Sequence, residues 1–355
     1  MNSSGQSSAN KNGKIKHILA IRFSAMGDVA MTVPVLSVLV HKYPHLHITV
    51  LTKQFFRPLF SHLPNVTIYE ADLNGIHSGV LGLGTLASDL RDEEIDAVAD
   101  LHDVLRTNVL RSLFYFYGMP FKQIDKGRSE KKALTRENNK AFKQLKSSHQ
   151  RYADVFEDLG FPIDLSEYKA PEKRKLLSKV YDVVGKQSQK WLGIAPFAQH
   201  RSKCYPEDLM EQVIADLSSK GNIKIILFGG GDSEKEKLEN WEEKYPNTVS
   251  IVGKLRFTEE LSLISNLDLM LSMDSGNAHL AAIYAVPVIS LWGVTHPYTG
   301  FKAFNQPLEN CILPDLDLYP KIPTSVYGNK YPEGYEDVMR SIPPEKVIQK
   351  ILEIL

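Results

Sequence analysis

The stretch that decides the fold is His17-Ile-Leu-Ala-Ile-Arg22, followed by Phe23-Ser-Ala-Met-Gly27-Asp28. Its first part is a nearly continuous apolar run, which is typical of a strand buried on both faces of a parallel sheet. The second part contains a glycine and precedes an apolar helical pattern from Val29 to His41, with Pro34 in the first turns, where proline is tolerated. A strand, a turn and a helix in this order predict the start of a doubly wound α/β sheet.

The same alternation of strands and helices continues through the first half of the chain and restarts in the second half. The predicted strands are His47–Thr52, Val66–Tyr69, Ala97–Asp100, Trp191–Ala195, Lys224–Phe228, Val249–Val252, Leu269–Met273 and Val286–Trp292. The predicted helices include Pro206–Ser219, Thr258–Asn266 with Thr258 as its cap, Asn277–Tyr284 and Pro344–Leu355. Two such runs in 355 residues predict two Rossmann-like, doubly wound domains facing a central cleft.

Composition limits the classes of function that need to be considered. Lys and Arg together number 42, as do Asp and Glu, so bulk charge predicts no polyanionic partner such as nucleic acid. Cys204 and Cys311 form neither a disulfide framework nor a zinc ribbon, and a reducing compartment is expected. No apolar run approaches the roughly 20 residues that span a bilayer. Residues 1–13, rich in Ser, Asn and Gly, are predicted to be a disordered tail.

One segment, Phe121–Arg151, departs from this neutral balance with ten Lys and Arg residues against three acids. Such a run is commonly a solvated helical face or a mobile loop. It is equally compatible with a cradle for an anionic acceptor, such as a phosphorylated sugar or lipid. The sequence leaves both interpretations open.

Four loops are predicted to leave the carboxyl ends of parallel strands, where ligands bind in open α/β sheets: Ser24–Asp28, Pro196–Lys203, Gly229–Asp232 and Asp274–His279. In the last loop, Asp274-Ser275-Gly276 opens a helix whose free N–H groups and dipole favour a phosphate. An ordinary capped helix is the alternative.

Each of the other three loops has its own candidate for ligand binding or catalysis, and each candidate also has an ordinary structural explanation. Lys203 is a phosphate-binding lysine or a solvated loop residue. The glycines from Gly229 to Gly231 lack the Lys-Ser/Thr ending of a P-loop and are a weak phosphate signal. Asp28 is a candidate general base or a helix cap. No Gly-x-Gly-x-x-Gly follows the first strand, which argues against a nicotinamide dehydrogenase.

Two segments resemble the motifs of a known family. The segment Ile21–Leu36, containing Met26-Gly27-Asp28, resembles the opening motif of glycosyltransferase family nine, the ADP-heptose:lipopolysaccharide heptosyltransferases. Met273-Asp-Ser-Gly-Asn-Ala-His-Leu-Ala-Ala282, continuing to Pro287 and Leu291–Pro297, resembles its C-terminal motif. Both motifs in order, over about residues 14–355, identify the chain as a member.

The resemblance implies a GT-B fold and an inverting, metal-independent transfer that needs no cofactor. The implied donor is ADP-heptose, and the implied acceptor is an anionic lipid-linked saccharide of the lipopolysaccharide core. The enzyme would be cytoplasmic, with peripheral contact at the inner membrane surface. The implied domains are an acceptor-side domain (14–170), a linker with a helix (171–190), a nucleotide-sugar-binding domain (191–342) and a C-terminal helix crossing back to the first domain (343–355).

By motif match, Asp28 takes the position of the catalytic base. The implied donor-binding residues are Lys203, Ser202, Gly230, Asp274, Ser275, Gly276 and His279. The implied acceptor-binding residues are Ser24, Met26, Gly27, Arg128, Lys131, Lys132 and Arg136. Two alternatives remain open: a sugar-nucleotide-processing enzyme of the same fold, such as an epimerase, and a non-catalytic protein that binds anionic glycans.

Overall fold

The computed structural model describes residues 15–355, so the tail predicted for residues 1–13 lies outside the described part. The chain forms two compact units. The first contains the residues up to 126 together with 148–169, and the second contains 127–147 together with 170–355. Each unit is built around its own parallel sheet, as the two runs of strand–helix alternation predict.

The sheet of the first unit has five parallel strands in the order β3-β2-β1-β4-β5. Helices α3 and α4 pack together, and α2 packs on α6. The strands are β1 His17–Ile21, β2 His47–Thr52, β3 Val66–Glu70, β4 Ala97–Asp100 and β5 Phe121–Gln123. The helices are α1 Met26–Ala30, α2 Thr32–Lys42, α3 Gly79–Arg91, α4 Leu105–Phe116 and α6 Ser148–Asp158. Residues 127–147, which lie between β5 and α6 in the chain, belong to the second unit.

The second unit has six parallel strands in the order β11-β10-β9-β6-β7-β8. They are β6 Lys190–Ala195, β7 Ile223–Leu227, β8 Thr248–Ser250, β9 Leu269–Met273, β10 Val288–Leu291 and β11 Cys311–Ile312. The helices are α5 Arg128–Thr135, α7 Ser178–Val184, α8 Glu207–Ser219, α9 Asp232–Lys244, α10 Phe257–Ile264, α11 Gly276–Ile283 and α12 Pro344–Ile354.

The predicted strands are confirmed. Every residue of β4 and β9 is buried, as expected of strands covered on both faces, whereas β3 at the edge of its sheet is only partly buried. The predicted starts of the helices are less accurate than the predicted strands. The first helix begins at Met26 instead of Val29, which places Asp28 inside α1. The prediction of Thr258 as a cap is wrong. Helix α10 starts at Phe257, and the Glu259 carboxylate accepts the backbone N–H of Arg256 at 2.7 Å.

The largest departure from the predicted domain boundaries is residues 127–147, which we call the basic insert. The sequence placed them in the N-terminal domain, whereas they pack with the second unit. The Lys131 ammonium lies 4.3 Å from the centre of the Phe301 ring, and the Leu145 N–H donates to the Tyr298 carbonyl at 3.0 Å. Lys140 donates to the Pro323 carbonyl at 2.7 Å. The Phe301 ring and the backbone carbonyls of Tyr298 and Pro323 therefore hold this segment in the second unit.

The last helix also differs from the expectation that it crosses back to the first domain. Helix α12 packs on α8, and its Val347 and Ile351 are fully buried in the apolar core of the second unit. Among the residues described, no helix is long and apolar enough to cross a membrane.

This assignment of α12 predicts the outcome of a pair of substitutions. Ile351→Ala removes a fully buried side chain and should lower the free energy of unfolding of the second unit by about 2–5 kcal/mol. Leu352→Ala, at a neighbouring position with 44% exposure, should change it by less than about 0.5 kcal/mol. Urea unfolding followed by tryptophan fluorescence reports on the second unit specifically, since Trp191, Trp241 and Trp292 all lie there. Equal effects of the two variants would contradict the assignment.

Candidate active site

The carboxyl end of β1 presents Asp28 on the short helix α1. One carboxylate oxygen, Oδ2, accepts the Ala25 N–H at 3.3 Å and lies 2.8 Å from a guanidinium nitrogen of Arg22. No residue from 15 to 355 hydrogen-bonds to the other oxygen, Oδ1, and the side chain keeps 28% of its exposure. Asp28 thus caps its own helix with one oxygen and has the second available to take a proton.

Arg22, which sequence reasoning did not select, fixes the direction of the Asp28 carboxylate. Its side chain is buried, donates to the Leu101 carbonyl at 2.7 Å and lies 5.9 Å from the centre of the Tyr152 ring. The signal was available in the sequence, since Arg22 directly follows the apolar run Ile18–Ile21. A cation in that position needs a partner, and the nearest carboxylate in the turn is Asp28.

The candidate acceptor residues fall into two groups, one beside Asp28 in the first unit and one along helix α5 in the second. Ser24, Met26 and Gly27 are partly exposed beside Asp28. Arg128, Lys132 and Arg136 are exposed at intervals of four residues along α5 and just past its end, so they form one stripe in the second unit. Lys131 does not belong to this stripe. It is buried against Phe301, and its prediction as an acceptor contact is therefore withdrawn.

In the second unit, Lys203 and Asp274 form an ion pair of 2.9 Å between Nζ and Oδ2, with side chains 16% and 8% exposed. The hydroxyl of Thr295 donates to the same oxygen at 2.9 Å. The loops after β6, β9 and β10 therefore converge on one carboxylate oxygen. Thr295 was missed because nothing local in the sequence connects it to Asp274.

Two glycines allow the chain to pass close to Lys203. A Cβ on Gly293 would lie 1.8 Å from the carbonyl oxygen of Ser202, and one on Gly328, whose φ is +85°, would lie 2.6 Å from Lys203 Cδ. Ser202 itself is buried, and its hydroxyl donates to the Gly328 carbonyl. The hydroxyl proton of Ser202 is thus already used within the protein and is not available to a phosphate.

Helix α11 begins beside this ion pair without a side-chain cap. Ser275 occupies the N-cap position with an extended backbone, but its side chain makes no capping hydrogen bond; its hydroxyl instead lies 3.1 Å from that of Ser272. The ordinary-cap alternative is therefore not what the structure shows. The first amides of α11, starting at Gly276, remain directed toward an incoming anion. His279 is buried within the same helix.

Unlike the start of α11, the glycine loop after β7 already has a carboxylate bound to one of its backbone amides. The N–H of Gly230 donates to the carboxylate of Glu234 at 2.8 Å, and a Cβ on Gly229 would meet Leu238 at 2.8 Å. An internal carboxylate already fills the place where a phosphate would bind. Gly230 is thus a weaker donor candidate than the start of α11.

A cavity of about 620 Å³ lies near this region, lined by Ser202 and Cys204 on either side of Lys203. Its wall carries more acidic than basic side chains: Glu207, Asp208, Glu234, Glu336 and Asp337 against Arg201, Lys237 and Arg340. Arg340 is engaged with Asp208 at 2.9 Å. This wall disfavours a diphosphate, which points to α11 as the better anion site.

Within the described residues, no group of three or more His, Cys, Asp or Glu side chains is arranged to hold a metal ion. The expectation of a metal-independent reaction remains a prediction.

Comparison with known proteins places the site in a family context. The model of glycosyltransferase family 9 (heptosyltransferase) matches residues 83–323. Lipopolysaccharide heptosyltransferase 3 of Escherichia coli K12 is 27% identical over 84% of this chain and 87% of its own length.

Two solved structures share the fold. The glycosyl transferase family 9 protein of Veillonella parvula superposes with a TM-score of 0.74 at 20% identity, covering 96% of this chain and 97% of the other. The E. coli heptosyltransferase WaaC with ADP gives 0.65 at 18% identity, covering 96% and 100%. These likenesses confirm the predicted GT-B class, with two Rossmann-like parallel-sheet domains.

The buried Lys203–Asp274 pair should be detectable as a coupling energy. Lys203→Met alone leaves a buried carboxylate without its cation and should cost about 3 kcal/mol or more. Adding Asp274→Asn should recover part of that loss, giving a coupling of about 1–3 kcal/mol in a double-mutant cycle. Urea unfolding followed by tryptophan fluorescence measures each variant. Additivity within about 0.5 kcal/mol would show that the pair does not hold these loops.

His296, next to Thr295, should make the second unit sensitive to acid. Burial, together with the nearby Lys140 ammonium, lowers the pKa of His296 to about 4. Between about pH 6.5 and pH 4 the unfolded chain binds a proton that the folded chain excludes. The free energy of unfolding should therefore fall by up to about 1.4 kcal/mol per pH unit as the pH decreases.

The test replaces His296 with Asn, which can still accept the Tyr298 N–H that His296 Nδ1 accepts at 3.1 Å. His296→Asn should flatten the pH dependence of urea stability in this window. His45→Asn, at an exposed histidine, is the control and should leave it unchanged. An unaltered slope in His296→Asn would refute the assignment of this proton to His296.

Proposed function

Because this chain belongs to glycosyltransferase family 9, a family of glycosyltransferase enzymes, we propose that it transfers a heptose from ADP-heptose to an anionic saccharide of the lipopolysaccharide core. The names of its relatives support the sugar and the acceptor, since the E. coli relative is a lipopolysaccharide heptosyltransferase. The nucleotide is supported by the structural likeness to WaaC, which was solved with ADP.

The observation that carries the proposal is the uncapped start of α11 beside Lys203. A nucleotide diphosphate needs N–H groups and positive charge as it departs, and both are present there. Asp274 would repel the diphosphate if it were alone, but its charge is balanced by Lys203. A lysine ammonium has three donors, so it can contact a phosphate oxygen while it remains paired with Asp274.

We assign the proton transfer to Asp28. In a single inverting displacement, the acceptor hydroxyl oxygen bonds to the anomeric carbon of the sugar. The bond from that carbon to the β-phosphate oxygen breaks, and ADP leaves with the electron pair. Asp28 takes the hydroxyl proton on its available oxygen, while Arg22 holds the other oxygen. Lys203 and the α11 amides stabilise the charge on ADP, so no metal ion is required by this scheme.

The acceptor is proposed to be held by charge. Arg128, Lys132 and Arg136 form an exposed cationic stripe suited to phosphate groups, while Ser24, Met26 and Gly27 lie next to the base.

Substitution of the base separates chemistry from donor binding. Asp28→Asn should lower kcat for transfer by at least about 100-fold, because general base catalysis typically contributes that much or more. The affinity for ADP, measured by calorimetry, should stay within about threefold because Asp28 does not touch the nucleotide in this scheme. Asp92→Asn, at an exposed carboxylate of the same unit, serves as the control and should leave both quantities unchanged.

The alternatives predict different results in the same assays. Loss of ADP binding in Asp28→Asn with an intact fold would contradict its role as base. Consumption of ADP-heptose by the wild type without any acceptor, to give an isomerised sugar nucleotide, would identify an epimerase-like enzyme instead. Binding of anionic glycan with no turnover would identify a binding protein.

A further inference from the structure

His102 is a buried histidine at the carboxyl edge of the first sheet that the proposed reaction scheme does not use. It lies two residues after β4, and its exposure is 8%. Since β1 and β4 are neighbouring parallel strands, His102 leaves the same edge of the sheet as the turn that leads to Asp28. The Phe23 ring, in that turn, packs edge-to-face against the His102 ring with 5.7 Å between their centres.

Two consecutive residues connect His102 to the Asp28 carboxylate. One guanidinium nitrogen of Arg22 lies 2.8 Å from Asp28, and the other donates at 2.7 Å to the carbonyl of Leu101, the residue before His102. The backbone N–H of Phe23 donates to Nδ1 of His102 at 3.4 Å. The proposed base and the histidine are therefore fixed by the same short segment of chain.

The hydrogen bond from Phe23 decides which nitrogen of His102 carries the proton. Because Nδ1 accepts, the neutral ring has its proton on Nε2. Nε2 forms no hydrogen bond with any residue from 15 to 355, and it is not among the buried side-chain atoms that water cannot reach. A largely buried side chain thus presents one N–H donor to solvent at the edge that carries Asp28.

The ring of His102 is neutral at physiological pH. Burial, and then the charges of Arg22, Lys126 and Arg106, lower its pKa to about 3. A cationic histidine would compete with Arg22 for the Asp28 carboxylate and weaken it as a base. A neutral donor can bind a ligand oxygen without this cost.

The carboxylates of the same loop do not take the Nε2 proton. Asp100 is fully buried; one oxygen accepts the backbone N–H groups of His102 and Asp103 at 2.9 and 3.1 Å, and the other accepts the Gln123 amide at 2.8 Å. The Asp103 carbonyl accepts Lys126 at 3.0 Å, and its carboxylate does not bond to the His102 ring. The donor is therefore left for a ligand.

We propose that His102 binds the acceptor, with its Nε2–H donating to an oxygen of the saccharide whose hydroxyl Asp28 deprotonates. The inference rests on the proposed function, because it assigns His102 to the same acceptor as Asp28. A hydroxyl or carboxylate oxygen of a saccharide accepts such a hydrogen bond with no change in protonation.

Two substitutions separate contact with the acceptor from support of the fold. In His102→Asn the side-chain oxygen can still accept the Phe23 N–H, but no donor reaches the ε position. In His102→Gln the longer amide places an N–H near the ε position and loses the acceptor for Phe23. Contact with the acceptor predicts that Asn is the more harmful replacement, whereas a purely structural role predicts that Gln is.

The test measures steady-state transfer from ADP-heptose to a delipidated core saccharide. His102→Asn should raise KM for the acceptor about three- to tenfold and leave kcat within about twofold, because the contact exists before and during the reaction. His102→Gln and the exposed control His45→Asn should stay within about twofold of the wild type. Circular dichroism verifies the fold of each variant.

The pH dependence tests the neutral state of the ring. The ratio of KM between His102→Asn and the wild type should be the same at about pH 5.5 and about pH 8, because the wild-type ring is neutral at both. A ratio that grows at the lower pH would show that His102 binds the anionic acceptor as a cation, which contradicts the proposal.

Calorimetry with the saccharide alone does not depend on transfer, and the wild type should bind it about three- to tenfold more tightly than His102→Asn. Equal affinity and KM in these two proteins, a larger loss in His102→Gln than in His102→Asn, or no saccharide binding by the wild type would overturn the proposal. Absence of transfer by the wild type, with weaker saccharide binding in His102→Asn, would count against the proposed function and still support the contact.

Discussion

The arrangement of the second unit depends on one carboxylate oxygen. Asp274 Oδ2 holds the Lys203 ammonium and the Thr295 hydroxyl at the same distance, 2.9 Å. Because both side chains of the ion pair are largely buried, neither charge is fully solvated, and each stabilises the other. Three loops are thereby fixed at the carboxyl edge of the sheet, and the lysine is fixed where α11 begins. Gly293 and Gly328 make this possible, since a side chain at either position would collide with the lysine-bearing loop.

The starts of α9 and α10 differ from that of α11 in which group accepts the backbone amides. At α9 and α10, glutamates accept the backbone amides close to the helix start, Glu234 from Gly230 and Glu259 from Arg256. At α11 the preceding carboxylate, Asp274, is turned toward Lys203 and makes no cap. An exogenous anion is therefore favoured there and disfavoured at the glycine loop. In the first unit a similar ion pair has a different consequence, because the Asp28 side chain is 28% exposed, against 8% for Asp274, and its second oxygen is available to take a proton.

Local sequence predicted most of the strands and the two motif loops. The features that it did not predict depend on residues far away in the chain. Apolar runs predicted nine of the eleven described strands within one or two residues, because strands buried on both faces need continuous apolar sequence. The short edge strands β5 and β11 were missed. The two motif loops were found at the correct sheet edges. Lys131 was chosen for its charge, yet Leu134, three residues later, marks the same helix face as buried. Phe301 and Tyr298, which hold the basic insert, lie more than a hundred residues away, so local pattern could not reveal its place. Thr295 was missed for the same reason.

The most direct test of the division of roles between the two loops is a crystal structure of the chain with ADP. The account predicts that phosphate oxygens lie within about 3 Å of the backbone nitrogens that open α11, at Gly276 and Asn277, and of Lys203 Nζ. Asp28 should make no contact with the nucleotide. A diphosphate bound instead in the acidic-walled cavity beside Asp208, or on the glycine loop in place of Glu234, would contradict the account.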